Sequence, residues 1–288
     1  MAHSLCNKKD LIIQLFVMID DLMKLLPILP WKTVWRKSKL KPSEAVTCML
    51  FGIMSGFKTI KHLYWDLRSY HNDSFDLPCY KNFVCSINTY ARDALILLSA
   101  LVQVNRHYSG WRNKFIDATC VAVCHNKRIF DHKVCAWIAQ RGKSTMWWFF
   151  WFKVHIVVDD SWNLLSFHIT PWNVDDRKAV KKMVRKLAGT LIADAWYVWK
   201  ELRNYLQDVG ITFLTWYKKN MKVLVTQWYV KKMKLRQIVE TGFGMMKCWG
   251  NLVSSYARSV WGHLSRIIYN LLAYVIKKQL HDYNYAIS

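Results

Sequence analysis

Apolar residues recur at helical spacing from Leu11 to Leu26. A second such run, "KLKPSEAVTCMLFGIM", offers Ser43 as an N-cap and Glu44 in the first turn, where the helix dipole favours an acid. Ser55-Gly56 breaks the pattern, and "FKTIKHLYWDLRSY" resumes it with Lys58, Lys61 and Arg68 interspersed. Two short helices about a glycine turn fit a helix-turn-helix DNA reader, and they fit an ordinary helical hairpin equally well. Residues 1–110 are therefore expected to form a mainly α-helical N-terminal domain, one able to bind DNA on the first of those readings.

The pattern changes near Asn113. "KFIDATCVAV" is β-rich, "WWFFWFKVHIVVDD" reads as a long strand, and "LLSFHIT" as a third, joined to the second by a hairpin at Asp159-Asp160-Ser161. "VDDRKAVKKMVRKLAG" is amphipathic, with Val174, Val180, Val184 and Leu187 on one side and basic residues on the other. "TLIADAWYV" is a short strand, "KELRNYLQDVG" a helix closed by Gly210, and "ITFLTW" a fifth strand; from Lys231 the chain is mostly helical. The order β-β-β-α-β-α-β-α predicts an α/β domain of the ribonuclease H-like class, a five-stranded mixed sheet with flanking helices. A doubly wound fold would open βαβ, which the initial meander argues against. This second domain is expected over residues 111–288, C-terminal helices included.

In such a sheet, polar groups at strand ends form the site. Asp117 stands in the first strand, Asp194 at the end of the fourth and Glu240 on a late helix. An acid inside an apolar strand carries a large desolvation cost unless it binds something. First and fourth strands are neighbours in this fold, so Asp117 and Asp194 can meet. Converging carboxylates supply the hard oxygen ligands that Mg²⁺ takes, with positions left for water and phosphate. Two such ions about 4 Å apart suit in-line displacement at phosphorus. Taken singly, each acid is better explained by a cap or a lysine partner; taken together, in two strand positions of a basic chain, they favour a metal site. Asp159 and Asp160 are accounted for by turn chemistry, and Asp175 and Asp176 by the first turn of a helix. Cys120, Cys124, His125, His132 and Cys135 invite a zinc reading, but their spacing fits no common zinc motif, and a packed strand with its following loop explains them better.

Composition adds a partner. Lys plus Arg number 42 against 19 acids, a formal charge of +23, which suits a polyanion, nucleic acid ahead of an anionic membrane. No apolar run is long enough to span a bilayer, the N-terminus lacks a secretory pattern, and the eight cysteines contain no CxxC pair. A cytoplasmic, nucleoid-associated protein without a membrane partner is expected. Hydrophobic residues make up 53% of the chain, enough to fold, yet 16 tryptophans against 10 glycines inverts the usual ratio.

The motifs "FIDAT", "VCHNKRI", "RGKSTMWWFFWFKVHIVV", "LSFHITPWNVDDRK", "ADAWY", "TWYKKNM" and "VETGFGMMK" follow the order seen in DDE transposases of bacterial insertion sequences, and "KSKLKPSEAVTCMLFGIMSGFKTIKHLYWDL" is also similar to that family. The resemblance is closest to the insertion sequence 982 group and runs from about Trp35 to the C-terminal helices. It implies Mg²⁺ or Mn²⁺, two ions, held by Asp117, Asp194 and Glu240. It also implies a reaction: water cleaves a phosphodiester at the element's end, and the freed 3′-OH attacks a phosphodiester of target DNA. Double-stranded DNA, both element ends and target, would be the partner, and the active complex a homo-oligomer. Beside these motifs lie Lys127, Arg128, Arg141, Lys143, Lys153, Arg177, Lys218, Lys219, Arg236 and Arg258, which can hold backbone phosphates or serve as a solvated basic face. A DNA-binding remnant without catalysis, or a nuclease on the same fold, remains an alternative reading.

The chain departs from the family in a consistent way. Ala195 stands where a lysine is often found, and "TGFGMMK" after Glu240 is less polar than usual. Trp35, Trp137, Trp147, Trp151, Trp162, Trp172, Trp196 and Trp216 stand where that family typically has glycine. One cause would produce all eight: a gene in which UGA encodes glycine, translated as though UGA meant tryptophan. If half of the eight positions require left-handed backbone, the strain totals about 4–8 kcal/mol, and the indole of Trp196 is expected to crowd the metal pocket.

Overall fold

The computed structural model describes residues 8–26, 38–124, 126–135, 140–143, 148–216, 226–248, 250–253 and 257–287. Two compact units divide the chain. One comprises Met1–Ala100, Cys248–Leu252 and Tyr256–Ser288, the other Leu101–Lys247 and Val253–Ser255.

The first unit is helical. Helix α1 (Lys8–Lys24) buries Ile12, Leu15, Ile19 and Met23, one apolar stripe. Helix α2 (Pro42–Met54) starts two residues earlier than its serine suggests: Lys41 is the N-cap, Pro42 occupies the first turn, and the Glu44 carboxylate accepts from the Lys41 amide at 2.8 Å. Proline's fixed φ and missing N–H suit that first helical position, which leaves Ser43 inside the helix. Gly56, at φ +77°, ends the turn after α2, and α3 (Ile60–Tyr70) follows with Thr59 as its cap. Leu63 of α3 sits so close to Gly52 that a Cβ there would lie 2.5 Å from its methyl. Helix α4 (Tyr80–Ser109) runs out of this unit into the next. The C-terminal helix α9 (Val260–Ile287) belongs to the helical unit, with Ile267, Ile268, Tyr269, Leu271, Leu272, Ala273 and Tyr274 all buried. A helix apolar on every side must be surrounded, and only a bundle surrounds it. The Tyr269 hydroxyl donates to the Ile87 carbonyl at 2.9 Å, fixing α9 against α4.

The second unit carries the sheet. Its strands are β1 (Asn113–Ala122), β2 (Gln140–Lys143), β3 (Trp148–Asp159), β4 (Leu164–Pro171), β5 (Gly189–Ala193) and β6 (Ile211–Thr215). The path β4-β3-β1-β5-β6 is antiparallel through β4, β3 and β1, then parallel through β5 and β6. This is the five-stranded mixed sheet of the ribonuclease H-like class. The short β2, which the sequence pattern does not announce, pairs with β3 at Trp148 to Trp151, while β4 takes the same edge from Phe152 onward. Helices α5 (Asp176–Met183) and α6 (Lys200–Asp208) bury Ala179, Val180, Met183, Leu202 and Leu206 against Ile116, Val157, Leu191 and Ala193. Each buried Val, Leu, Ile or Met among them contributes about 1.5–3 kcal/mol. Helices α7 (Gln227–Lys234) and α8 (Gln237–Cys248) complete the unit.

The β3–β4 hairpin is built on Asp159. Its carboxylate accepts from the amides of Ser161 and Asn163, each at 2.9 Å, and Trp162 follows at φ +66°. Five of the eight unusual tryptophans, Trp151, Trp162, Trp172, Trp196 and Trp216, fall among the described residues; Trp35, Trp137 and Trp147 lie outside them. Of those five, Trp162 alone has a positive φ, so one of them carries left-handed strain.

Candidate active site

Strands β1 and β5 run parallel with Asn113 opposite Thr190 and Phe115 opposite Ile192, an offset of 77. Continuing that offset sets Asp117 beside Asp194 (117 + 77 = 194). Alternation puts Ile116, Leu191 and Ala193 on the face covered by α5 and α6, so the two acids share the opposite face. Each carboxylate is fixed by the next residue: the Ala118 amide donates to Asp117 Oδ1 at 2.8 Å and the Ala195 amide to Asp194 Oδ1 at 2.7 Å. Asp194 also caps the 3-10 turn Ala195–Tyr197.

The third acid arrives from the helices. The Tyr229 hydroxyl of α7 donates to the Thr215 carbonyl at the end of β6, and Lys232 Nζ donates to Asn113 Oδ1 at 2.8 Å at the start of β1. These contacts hold the α7–α8 joint beside the sheet. Arg236 hangs from that joint. Its guanidinium lies 3.1 Å from Asp194 Oδ1 and 3.9 Å from Asp117 Oδ2, and it also donates to Glu240 Oε1, one turn along α8. Asp117, Asp194 and Glu240, widely separated in sequence, therefore surround one cation.

Burial pushes the Asp117 carboxyl up to about 6, and the nearby carboxylates of Asp194 and Glu240 add to this, while the Ala118 amide and Arg236 work against it. Asp117 is the innermost acid, its side chain 24% exposed against 34% for Asp194 and 52% for Glu240. The carboxylates of Asp117, Asp194 and Glu240 all contact one guanidinium, and carboxylate oxygens are the ligands that Mg²⁺ or Mn²⁺ takes. The rejected acids are accounted for: Asp159 by its hairpin, Asp175 as the N-cap of α5, and Asp176 by Lys153 Nζ at 2.8 Å. Burial raises the thiol of Cys120 to about 12 and that of Cys135 to about 11.

The basic residues divide into three groups. Lys127 and Arg128 are exposed on the 3-10 turn Asn126–Arg128, and Arg258 is exposed in the helical unit. Lys153, Arg177 and Arg236 are each engaged by a carboxylate, Arg177 by Asp175 with Trp199 beneath its plane. Arg141 and Lys143 stand on β2, but their side chains lie outside the described residues, as do Lys218 and Lys219 altogether. Sequence reading missed the position of Arg236 among the acids. The available signal was its place four residues before Glu240, where a helical residue meets an acid. Trp196 follows Asp194 by two residues, yet it is 79% exposed, so its indole points to solvent rather than filling the space among the acids.

Among the described residues, no helix is long and apolar enough to cross a membrane. The chain is similar to the piggyBac transposase synaptic complex with hairpin DNA, at 8% identity, covering 92% of this chain and 70% of that one with a TM-score of 0.49. It is also similar to the Mos1 mariner paired end complex with Mn, at 7% identity, covering 96% and 98% with a TM-score of 0.26. No curated protein matches the chain. The family model for the transposase DDE domain matches residues 110–260, a stretch that contains Asp117, Asp194 and Glu240. With more than half of its length matched, the chain belongs to the transposase DDE-domain family.

Proposed function

We propose that this chain is a transposase that cuts DNA at the ends of an insertion sequence and joins the freed 3′-OH to target DNA. The observation that carries the proposal is the meeting of Asp117, Asp194 and Glu240 around a single guanidinium. When bound, two Mg²⁺ or Mn²⁺ ions would activate the attacking oxygen and stabilise the leaving oxygen at phosphorus. The protein's part is to hold the ligands. Asp117 and Asp194 are fixed on adjacent parallel strands, and their neighbouring amides set each carboxylate's rotation. Glu240 reaches in from α8 and is the most exposed of the three. The +23 charge supports double-stranded DNA as partner, with Lys127 and Arg128 exposed for phosphates. Arg141, Lys143, Lys218, Lys219 and Arg258 are proposed for the same task. The ordered motifs favour the insertion sequence 982 group, a cytoplasmic, nucleoid-associated protein, and a homo-oligomer acting on paired ends.

The test is cleavage and joining of DNA carrying the element's ends, with Mg²⁺ or Mn²⁺. Asp117→Asn, Asp194→Asn and Glu240→Gln should each lower both steps by at least about 10²-fold and leave DNA binding in place. Cutting without joining would identify a nuclease on this fold. Binding without any cutting by the unaltered protein would identify a DNA-binding remnant.

A further inference from the structure

We infer that Arg236 is a built-in counter-ion that closes the Asp117–Asp194–Glu240 site, so that divalent metal enters by exchange with its guanidinium. The inference rests on the reading of these three acids as metal ligands. Among the described residues, Arg236 is the ion-pair partner of all three, and no other ion pair is recorded for any of them. Its side chain is only 14% exposed, so the guanidinium is seated within the cluster. A planar group with five N–H donors can serve several carboxylates at once, which a lysine cannot do with the same geometry.

The distances order the exchange. A cation held jointly by Asp117 and Asp194 occupies the same oxygens that Arg236 contacts at 3.9 Å and 3.1 Å. Guanidinium and a divalent ion cannot both sit there, because close like charges repel strongly where water is sparse. Arg236 can withdraw without leaving the site's border. It sits between α7 and α8, where the chain makes short-range turns: its amide donates to the Met233 carbonyl at 3.1 Å and its carbonyl accepts from Val239 at 3.1 Å. Its pair with Glu240 lies on its own chain segment, so that contact can persist while those to the strands break. The arginine thereby neutralises part of the carboxylate repulsion in the metal-free protein and competes with the metal.

Mn²⁺ binding to the whole protein, followed by electron paramagnetic resonance, tests this without reference to catalysis. Arg236→Gln should bind Mn²⁺ about tenfold more tightly than the unaltered chain, and Arg236→Lys should fall between the two. Equal or weaker binding by a folded Arg236→Gln protein overturns the inference. If that variant does not fold, the Arg236 Nε–H signal of the ¹⁵N-arginine-labelled unaltered protein decides: it should move on saturation with Mg²⁺, and a stationary signal overturns the inference. Mn²⁺ binding that is lost in Asp117→Asn but unchanged in Arg236→Gln removes the exchange alone and leaves the functional reading standing. Absence of Mn²⁺ binding by the unaltered protein and by Arg236→Gln alike removes both.

Discussion

Asp117 shows how one side chain can be costly to the fold and useful to the site. Its carboxyl titrates near 6 in the fold against an ordinary 3.8 in the unfolded chain. The folded protein thus binds the proton more tightly, and metal-free stability falls as pH rises from about 4 to about 6. The shift corresponds to about 2–3 kcal/mol at pH 7, given partial solvent screening. Asp117→Asn should therefore unfold at higher denaturant concentration than the unaltered protein at pH 7 without metal, and the difference should vanish near pH 4. Trp162 presents the opposite case, a strain with no evident use. An indole-bearing residue at φ +66° carries about 1–2 kcal/mol of backbone cost. Replacing it by glycine, Trp162→Gly, should stabilise the protein by about 1 kcal/mol in urea melts, once glycine's larger unfolded-state entropy is subtracted. The gene offers an independent check: UGA codons at the eight unusual tryptophans support glycine decoding, and UGG codons end that hypothesis.

At the level of elements, the site depends on the offset between β1 and β5, and one glycine helps set it. Gly189 opens β5 at φ +92°, and a Cβ there would lie 2.6 Å from the Trp111 carbonyl oxygen. Side chain and backbone cannot both keep their places, because carbonyl oxygens do not yield as a flexible side chain does. Gly189→Ala should cost about 3 kcal/mol or more, read as a lowered melting midpoint. Since Asp194 lies five residues further on, the same change should weaken Mn²⁺ binding. The five main strands were legible because each combines β-branched or aromatic residues with a turn at its end, as in "VVDDSWN". Strand β2 was not: "QRGK" has no apolar alternation, and it pairs with the edge of β3 before Phe152, which β4 leaves open. The cap of α2 was misplaced by two residues, because Pro42 takes the first helical position and leaves Ser43 inside the helix.

For the whole molecule, a surplus of +23 makes salt the sensitive variable. If about six phosphates are neutralised on binding, affinity for DNA should fall by about 10³-fold between 50 and 200 mM salt. A binding isotherm series checks this, and a flat series would remove the polyanion reading of the charge. The sequence by itself determined the five main strands, the meander that begins the sheet, and the placing of Asp117 on the first strand, Asp194 at a strand end and Glu240 on a late helix. It could do so because hydrophobic period and turn chemistry act locally, and because a carboxylate in an apolar strand is conspicuous wherever the strand ends up. Tertiary structure decided the rest. It assigned α9 to the helical unit, since a helix apolar all round goes where enough neighbours can enclose it. It set Arg236 among Asp117, Asp194 and Glu240, a pairing that follows from Coulomb attraction across the folded chain. No local spacing encodes which cation a buried carboxylate meets, because that depends on which distant segment the packing brings within a few ångströms.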